Sequence, residues 1–323
     1  MSTQKCLFCY ENLDNSEKDF HSKCSKKFFG TATPPFLDVS LTEIEKLAVN
    51  ILQRSVSITG VQPKLSVDLV PKGSLREKGK NKKESPWLSI VGLWGNYILK
   101  PPHKDFPQMP EIEDLTMHLA KITGINTAEH SLIRLKSGEL AYISKRFDRT
   151  TKEKVHVEDF AQLLEVLTER KYQGSVEQVG KAILRYSSFP GNDVINLFEI
   201  ILFCYLTGNS DMHLKNFSLI RDESDDIKLS PAYDLLSTKL LLPEDKEELA
   251  LPIKGKKANL KRADFDYLAD NLGINRKTIT SIYNKFVKNF TGWYSLIEMS
   301  FLNEDTKKRY GQLIKERALR IGL

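Results

Sequence analysis

The chain has 323 residues, of which 41% are hydrophobic and 28% charged, with a formal net charge of +6. Such a composition describes an ordinary folded protein with enough chain for a substantial core in more than one lobe, and it excludes a disordered or membrane-embedded one. The charge permits contact with nucleotides, nucleic acid or an acidic partner, but it is too mild to signal DNA binding by itself.

The first residues, MSTQKCLFCYENLDNSEKDF, contain no apolar core of signal-peptide length, and no run reaches the length of a membrane span. The expected compartment is therefore the cytoplasm, with no membrane contact. There the four cysteines read as reduced thiols or metal ligands, not as a disulfide framework. Three of them fall within residues 1–30, in the pattern Cys6-x2-Cys9-x11-His21-x2-Cys24. That spacing suits a tetrahedral zinc site. The alternative is a small hydrophobic knuckle of reduced cysteines with Phe8, Phe20, Phe28 and Phe29. Cys204 lies in an apolar helical stretch and reads as core. A stiff TATPP connector follows at 31–35.

Residues 41–53 place Ile44, Leu47, Ala48 and Ile51 on one helical stripe. The segment from Ser57 to Lys64 is a short turn by composition. Its small residues also suit a loop over phosphates, although its one glycine makes it neither a Walker loop nor a GxGxxG loop. The hydroxyls of Ser55, Ser57 and Thr59 are candidate phosphate acceptors, and charge added there would repel a nucleotide. Runs at 65–70, 87–91, 96–100, 132–135 and 140–144 have strand length and branched or aromatic content. The Lys- and Gly-rich stretch at 71–85 reads as a solvated hairpin tip. A helix is expected over 111–124, with Leu115, His118, Leu119 and Ile122 on one face. Beyond residue 149 the stretches 158–170, 175–187, 192–207, 261–272, 276–290 and the segment from 306 onward have helical periodicity. The expected fold class is therefore α+β and bilobal, of the protein-kinase type. Residues 1–35 would be a cysteine-containing extension, 36–148 a β-rich lobe with the phosphate-binding loop, and 149–323 a helical lobe with the catalytic and metal-binding loops.

The strongest chemical signal is GNSDMHLKN at 208–216, followed by Ala232, Tyr233 and Asp234. Phosphoryl transfer to a hydroxyl needs a carboxylate near the acceptor proton and oxygen ligands for Mg²⁺. Protein kinases place an Asn five residues after the catalytic Asp, and a second metal-binding Asp further on. Asp211, Asn216 and Asp234 follow that order, with Asp211 as base and Asn216 and Asp234 as metal ligands. Lys215 is close enough in sequence to reach a transferring phosphate, and His213 reads as a loop-packing residue. Upstream, Lys100 ends a strand run and is the candidate cation for the α- and β-phosphates. Glu113, or else Glu111, in the first turn of the next helix would orient it.

The series SITGVQPKLS, YILKP, RFDR, EDFAQ, GNSDMHLKNFSL and LSPAYDLLST closely resembles the HipA family of bacterial serine/threonine kinase toxins. The resemblance runs from about residue 50 onward. The chain is short for a HipA, which makes it similar to HipT, the short kinase of three-component HipBST toxin–antitoxin systems. The resemblance implies a kinase using ATP and Mg²⁺. ATP contacts would come from Thr59, Gly60, Val61, Gln62, Pro63 and Lys64, and from Lys100. Others would come from the hinge residues Lys145, Arg146 and Phe147, from His213, Leu214, Lys215 and Asn216, and from Tyr233 and Asp234. Ser57 matches the autophosphorylated serine of the family loop. HipT-type enzymes carry a second serine two positions on, where this chain has Thr59. Lys145 stands where many relatives have an acidic residue, in a hinge whose contacts are largely backbone. The implied partners are a HipB-like helix-turn-helix antitoxin that carries most of the DNA contact, a small HipS-like protein, and an aminoacyl-tRNA synthetase as substrate. Two rival readings are a small-molecule kinase of the aminoglycoside or choline type and a catalytically silent ATP-binding subunit of an antitoxin complex.

Overall fold

A computed structural model describes residues 4–52, 63–71, 85–91, 94–150 and 153–323. The chain divides into two compact units. The first comprises Met1–Asp114, Glu129–Arg146 and Met299–Phe301, and the second Leu115–Ala128, Phe147–Glu298 and Leu302–Leu323. The expected hairpin tip, apart from its end residues, and the segment from Ser57 to Gln62 lie outside the described residues.

The first unit is built on a six-stranded sheet. Its strands are β1 (Phe36–Leu37), β2 (Leu65–Val70), β3 (Trp87–Ile90), β4 (Tyr97–Lys100), β5 (His130–Arg134) and β6 (Leu140–Lys145), in the order β1-β3-β2-β4-β6-β5. Among the described residues only β1 against β3 is parallel in this sheet; its other pairs are antiparallel. In β2 the alternation of Leu65 and Val67 with Ser66 and Asp68 turns the apolar residues inward, as the period of two requires. A helix, α1 (Ser22–Phe29), ends at Gly30, whose φ of 78° supplies the left-handed cap. Residues of the cysteine-rich segment share one apolar core with the sheet: Cys6, Leu7, Phe28 and Phe29 pack with Leu65, Leu99, Leu132 and Ile143. Helix α2 covers Leu41–Leu52, and α3 covers Met109–Ile122.

The second unit is mainly helical, with α4 (Phe160–Leu163), α5 (Val176–Tyr186), α6 (Pro190–Thr207), α7 (Thr238–Leu241), α8 (Arg262–Asn271), α9 (Arg276–Met299, whose last residue belongs to the first unit) and α10 (Glu304–Arg320). Helix α6 starts with a proline in its first turn and is apolar on nearly every side from Leu197 to Leu206, as a central buried helix must be. Phe203 packs edge-on against Trp293 of α9, with ring centroids 5.4 Å apart. The stretch 158–170, read as helical, instead holds the strand β7 (Val157–Asp159), the single turn α4 and a short 3-10 turn, Thr168–Arg170. Asp159 closes a capping box with Gln162, which starts α4 directly at the end of the strand. Two further strands, β8 (Ser218–Arg221) and β9 (Ile227–Leu229), complete a sheet in the order β7-β8-β9.

Candidate active site

The acidic loop begins where α6 stops. Gly208 has φ 79° and caps the helix, and the Asn209 amide returns to the Cys204 carbonyl at 2.8 Å. Only glycine fits easily here, since an added Cβ would lie 2.7 Å from Leu313 Cδ2 and 2.9 Å from Lys239 Cβ. The Asn209 side chain accepts from the Asp211 amide at 3.0 Å, an Asx turn that sets the loop direction. Ser210 is tied to two residues: its amide donates to Thr238 Oγ1 at 2.8 Å, and its hydroxyl shares a 2.9 Å bond with the same oxygen and donates to Asp245 at 2.6 Å. The loop is thus clamped on both flanks.

Asp211 emerges from this frame with its side chain half-exposed, while Met212, His213, Leu214 and Asn216 are buried. The Tyr172 hydroxyl donates to Asp211 Oδ1 at 2.5 Å. Asp211 Oδ2 has no partner among the described residues. Burial, reinforced by the neighbouring Asp211 carboxylate, holds the Tyr172 phenol above its ordinary range, so it stays a donor at neutral pH. His213 packs edge-on to Tyr172, with centroids 5.0 Å apart, and its Nε2 lies 4.0 Å from Asp211 Oδ1. Burial pushes the His213 imidazole below its ordinary value, against the opposing pull of Asp211. It is neutral at pH 7, and its buried Nδ1 has no partner among the described residues.

Asn216 Nδ2 donates to the Asp211 carbonyl at 2.9 Å, which fixes the amide plane and turns Oδ1 to the other side. Lys215 reaches Asp159 Oδ2 at 2.7 Å. The Tyr233 hydroxyl donates to the Lys215 carbonyl at 2.9 Å and shares a 2.6 Å hydrogen bond with Ser218. Phe147 lies against the Tyr233 ring at 5.5 Å. The segment before Asp234 is held by the pair of backbone bonds that join Ala232 to Asn126 and Ala128, at 2.8 and 2.9 Å. Asp234 itself has φ 55°, a left-handed conformation that Asp tolerates better than most residues. The Asp234 carboxylate and the Asn216 amide each offer an oxygen donor, the ligand type that a hard divalent cation prefers. The second unit therefore brings Asp211, His213 and Asn216 into one hydrogen-bonded loop, while Lys215 turns to Asp159 and its carbonyl holds Tyr233.

In the first unit Lys100 Nζ meets Glu113 Oε1 at 2.5 Å, with the two side chains 6% and 1% exposed. The ammonium also stands 5.3 Å from the Tyr142 ring centre on the neighbouring strand. Glu113, not Glu111, makes this pair. Two helical residues apart means a rotation of about 200°, so the two carboxylates sit on nearly opposite faces of α3. Lys145 pairs with Glu129 at 3.4 Å on the surface, and the Arg146 amide donates to the Asn96 carbonyl at 2.9 Å. Pro63 and Lys64 precede β2 directly; Lys64 is exposed. Thr59, Gly60, Val61 and Gln62 lie outside the described residues, as does Ser57. Sequence reasoning missed Tyr172 and Asp159, which contact the loop across long stretches of chain, and the Thr238–Asp245 clamp. The EDFAQ motif flags Asp159, whereas no local signal marks Tyr172.

The family model of the HipA-like C-terminal domain matches residues 56–294. The chain is 32% identical over 276 residues to a Sinorhizobium fredii protein named "Putative kinase Y4dM", covering 81% of this chain and 63% of that relative. It thus spans less than two thirds of that relative's length. The fold is similar to a chain from the Shewanella oneidensis complex of the toxin–antitoxin system proteins HipA and HipB with operator DNA. That match has a TM-score of 0.66 at 21% identity, and covers 85% of this chain and 70% of that one. It is also similar to the Helicobacter pylori proinflammatory kinase CtkA, with a TM-score of 0.54 at 19% identity, covering 72% of this chain and 87% of that one. Those two likenesses bear on the fold, a mixed α+β arrangement with a β-rich part and a helical part. With the family model spanning well over half of its residues, the chain belongs to the family of the HipA-like C-terminal domain.

Proposed function

We propose that this chain is a serine/threonine protein kinase that uses ATP and Mg²⁺, the toxin of a type II toxin–antitoxin system of the short HipT kind. The observation that carries the reading is the acidic loop. Asp211 presents one carboxylate oxygen held by Tyr172 and one left for an acceptor hydroxyl, beside an Asn216 amide turned so that its oxygen is free to take a metal. Bound Mg-ATP supplies the transferable γ-phosphoryl group and the cation that offsets its charge. In this reading Asp211 would take the proton from the attacking hydroxyl at Oδ2, and Asn216 and Asp234 would hold the metal. Lys100, paired with Glu113, would contact the α- and β-phosphates. Tyr172 acts through Asp211, as a positioning residue. Lys215 would have to leave Asp159 to reach a phosphate.

Autophosphorylation at Ser57, with Thr59 as a second acceptor, belongs to the same proposal, as do a HipB-like antitoxin, a HipS-like small protein, an aminoacyl-tRNA synthetase substrate and action in the cytoplasm. The family match and the names of the relatives support it. Intact-mass measurement after incubation with Mg-ATP tests it, with wild type beside Asp211→Gln. Wild type should gain one or two phosphates on the Ser57 peptide and label a protein in lysate, and the variant should do neither. A wild type that stays unmodified and labels nothing would overturn the reading.

A further inference from the structure

We propose that Cys6, Cys9, His21 and Cys24 form a structural zinc site that locks the amino-terminal segment onto the sheet of the first unit. Their three sulfurs and one ring nitrogen lie within 4.8 Å of one another, although the chain elements that carry them are different. Cys6 and Cys9 come from a tight turn closed by the Tyr10 amide on the Cys6 carbonyl at 2.9 Å, with Tyr10 at φ 66°. An antiparallel bridge between Lys5 and Asn12 closes that turn at its base. His21 stands at the N-cap of α1, and Cys24 lies in its first turn.

The separations fit a tetrahedron. With Zn–S of about 2.3 Å and Zn–N of about 2.05 Å, ideal S···N edges are about 3.6 Å. Cys9 Sγ and Cys24 Sγ lie 3.4 and 3.7 Å from His21 Nδ1. All three cysteines are free thiols, so no disulfide competes for the sulfurs.

The histidine is oriented as a metal ligand. Its Nε2 lies 3.0 Å from the Asn12 carbonyl oxygen, which can only accept, so Nε2 carries the proton and the Nδ1 lone pair faces the sulfurs. The Glu17 carboxylate lies 4.0 Å from the same Nε2. A carbonyl or carboxylate behind the distal nitrogen is the usual outer support of a zinc-bound histidine. The Cys6 sulfur completes the set of four converging donor atoms. Soft thiolates with one imidazole in a four-fold set select zinc over magnesium or calcium. Cys6 and Cys24 are buried, and half-buried Cys9 gives the metal its way in.

The site would hold more than its own loop. Leu7, between the two turn cysteines, accepts at its carbonyl from the Leu132 amide of β5 at 3.2 Å. Tyr10 donates to Asp114 at 2.6 Å, next to Glu113 on α3, and the same carboxylate meets His130 Nδ1 at 2.7 Å. Zinc binding would therefore stabilise the strand edge and the helix end that position the Lys100–Glu113 pair.

The test is metal analysis of the full chain, purified under reducing conditions with zinc supplied, together with native mass spectrometry and cobalt substitution. The expected result is one zinc per chain. Cobalt in its place should give thiolate-to-metal charge transfer in the near ultraviolet and the visible bands of tetrahedral geometry. Cys9→Ser and His21→Ala should each weaken metal binding by more than about tenfold, while Cys204→Ser keeps full stoichiometry. Chelation should lower the thermal midpoint of wild type. A folded wild type that takes up no zinc, or cobalt bound without a thiolate band, would overturn the proposal. Because the readout is metal content, its outcome is independent of kinase activity.

Discussion

The Lys100–Glu113 pair offers a way to separate what holds the first unit together from what the proposed chemistry needs. Both charges are almost fully buried and 2.5 Å apart. Removing one partner takes the nearest opposite charge from a buried group, a loss that costs about 3–5 kcal/mol in comparable buried pairs. Replacing both by apolar residues of similar volume is near neutral or stabilising in comparable buried pairs. Glu113→Gln and Lys100→Met should therefore each destabilise the unit by about 3–5 kcal/mol, and Lys100→Met/Glu113→Leu should recover most of that loss. At about 2–4 °C per kcal/mol for a unit of this size, each single variant should melt about 6–20 °C lower. Denaturant unfolding read by tryptophan fluorescence measures the cycle, since Trp87 sits buried in β3 of the same sheet. Phosphate transfer should be absent in the two variants that lack Lys100, because the double variant regains stability without regaining a cation for the phosphates. The reasoning is refuted if Glu113→Gln costs under about 1 kcal/mol, or if the double variant is as unstable as the two singles combined.

Tyr172→Phe removes the donor on Asp211 Oδ1 and should lower kcat about tenfold, equivalent to about 1.4 kcal/mol, with KM for ATP and the melting point nearly unchanged. Full turnover in steady-state kinetics would show that the bond does not position the base. Burial, with the nearby Asp114 charge, pushes the Glu111 carboxyl up from 4.5 to about 7. The folded chain then holds a proton that the unfolded chain releases, so stability falls as pH rises from 4.5 through 7, by up to about 3 kcal/mol. Glu111→Gln should flatten that part of the profile and exceed wild type in stability at pH 8; parallel profiles in urea titrations would refute this. Gly208→Ala, forced to φ 79° with its Cβ against Leu313 and Lys239, should cost about 2–4 kcal/mol in the same titrations. A change within about 0.5 kcal/mol would mean that the loop start tolerates a side chain.

How far the sequence reaches depends on the range of the forces involved. Strand β2 was readable with its own bounds because its alternation is local and one face is buried. The Lys100–Glu113 pair was readable because a strand end and the N-terminal half of the next helix are close along the chain. The stretch from 157 to 170 was not. Val157–Asp159 is a strand only because it pairs with β8, some sixty residues on, and three residues carry no periodicity of their own. Strands β8 and β9 escaped for the same reason, being four and three residues long inside a helical half.

The acidic loop combines both situations. Its order of Asp211, Asn216 and Asp234 is written in the sequence, because the chemistry dictates residue types at fixed spacing. What makes the loop rigid is written elsewhere: a buried helix that ends on a left-handed glycine, Thr238 and Asp245 gripping Ser210, and Tyr172 fixing one oxygen of Asp211. These contacts join residues 28 to 39 positions apart, so only folding brings them together. A half-exposed carboxylate such as Asp211 cannot be held by burial. It is held by its backbone and by one phenol, and that is why the Tyr172 hydroxyl can be removed with little loss of stability, whereas neither partner of the buried Lys100–Glu113 pair can be removed alone.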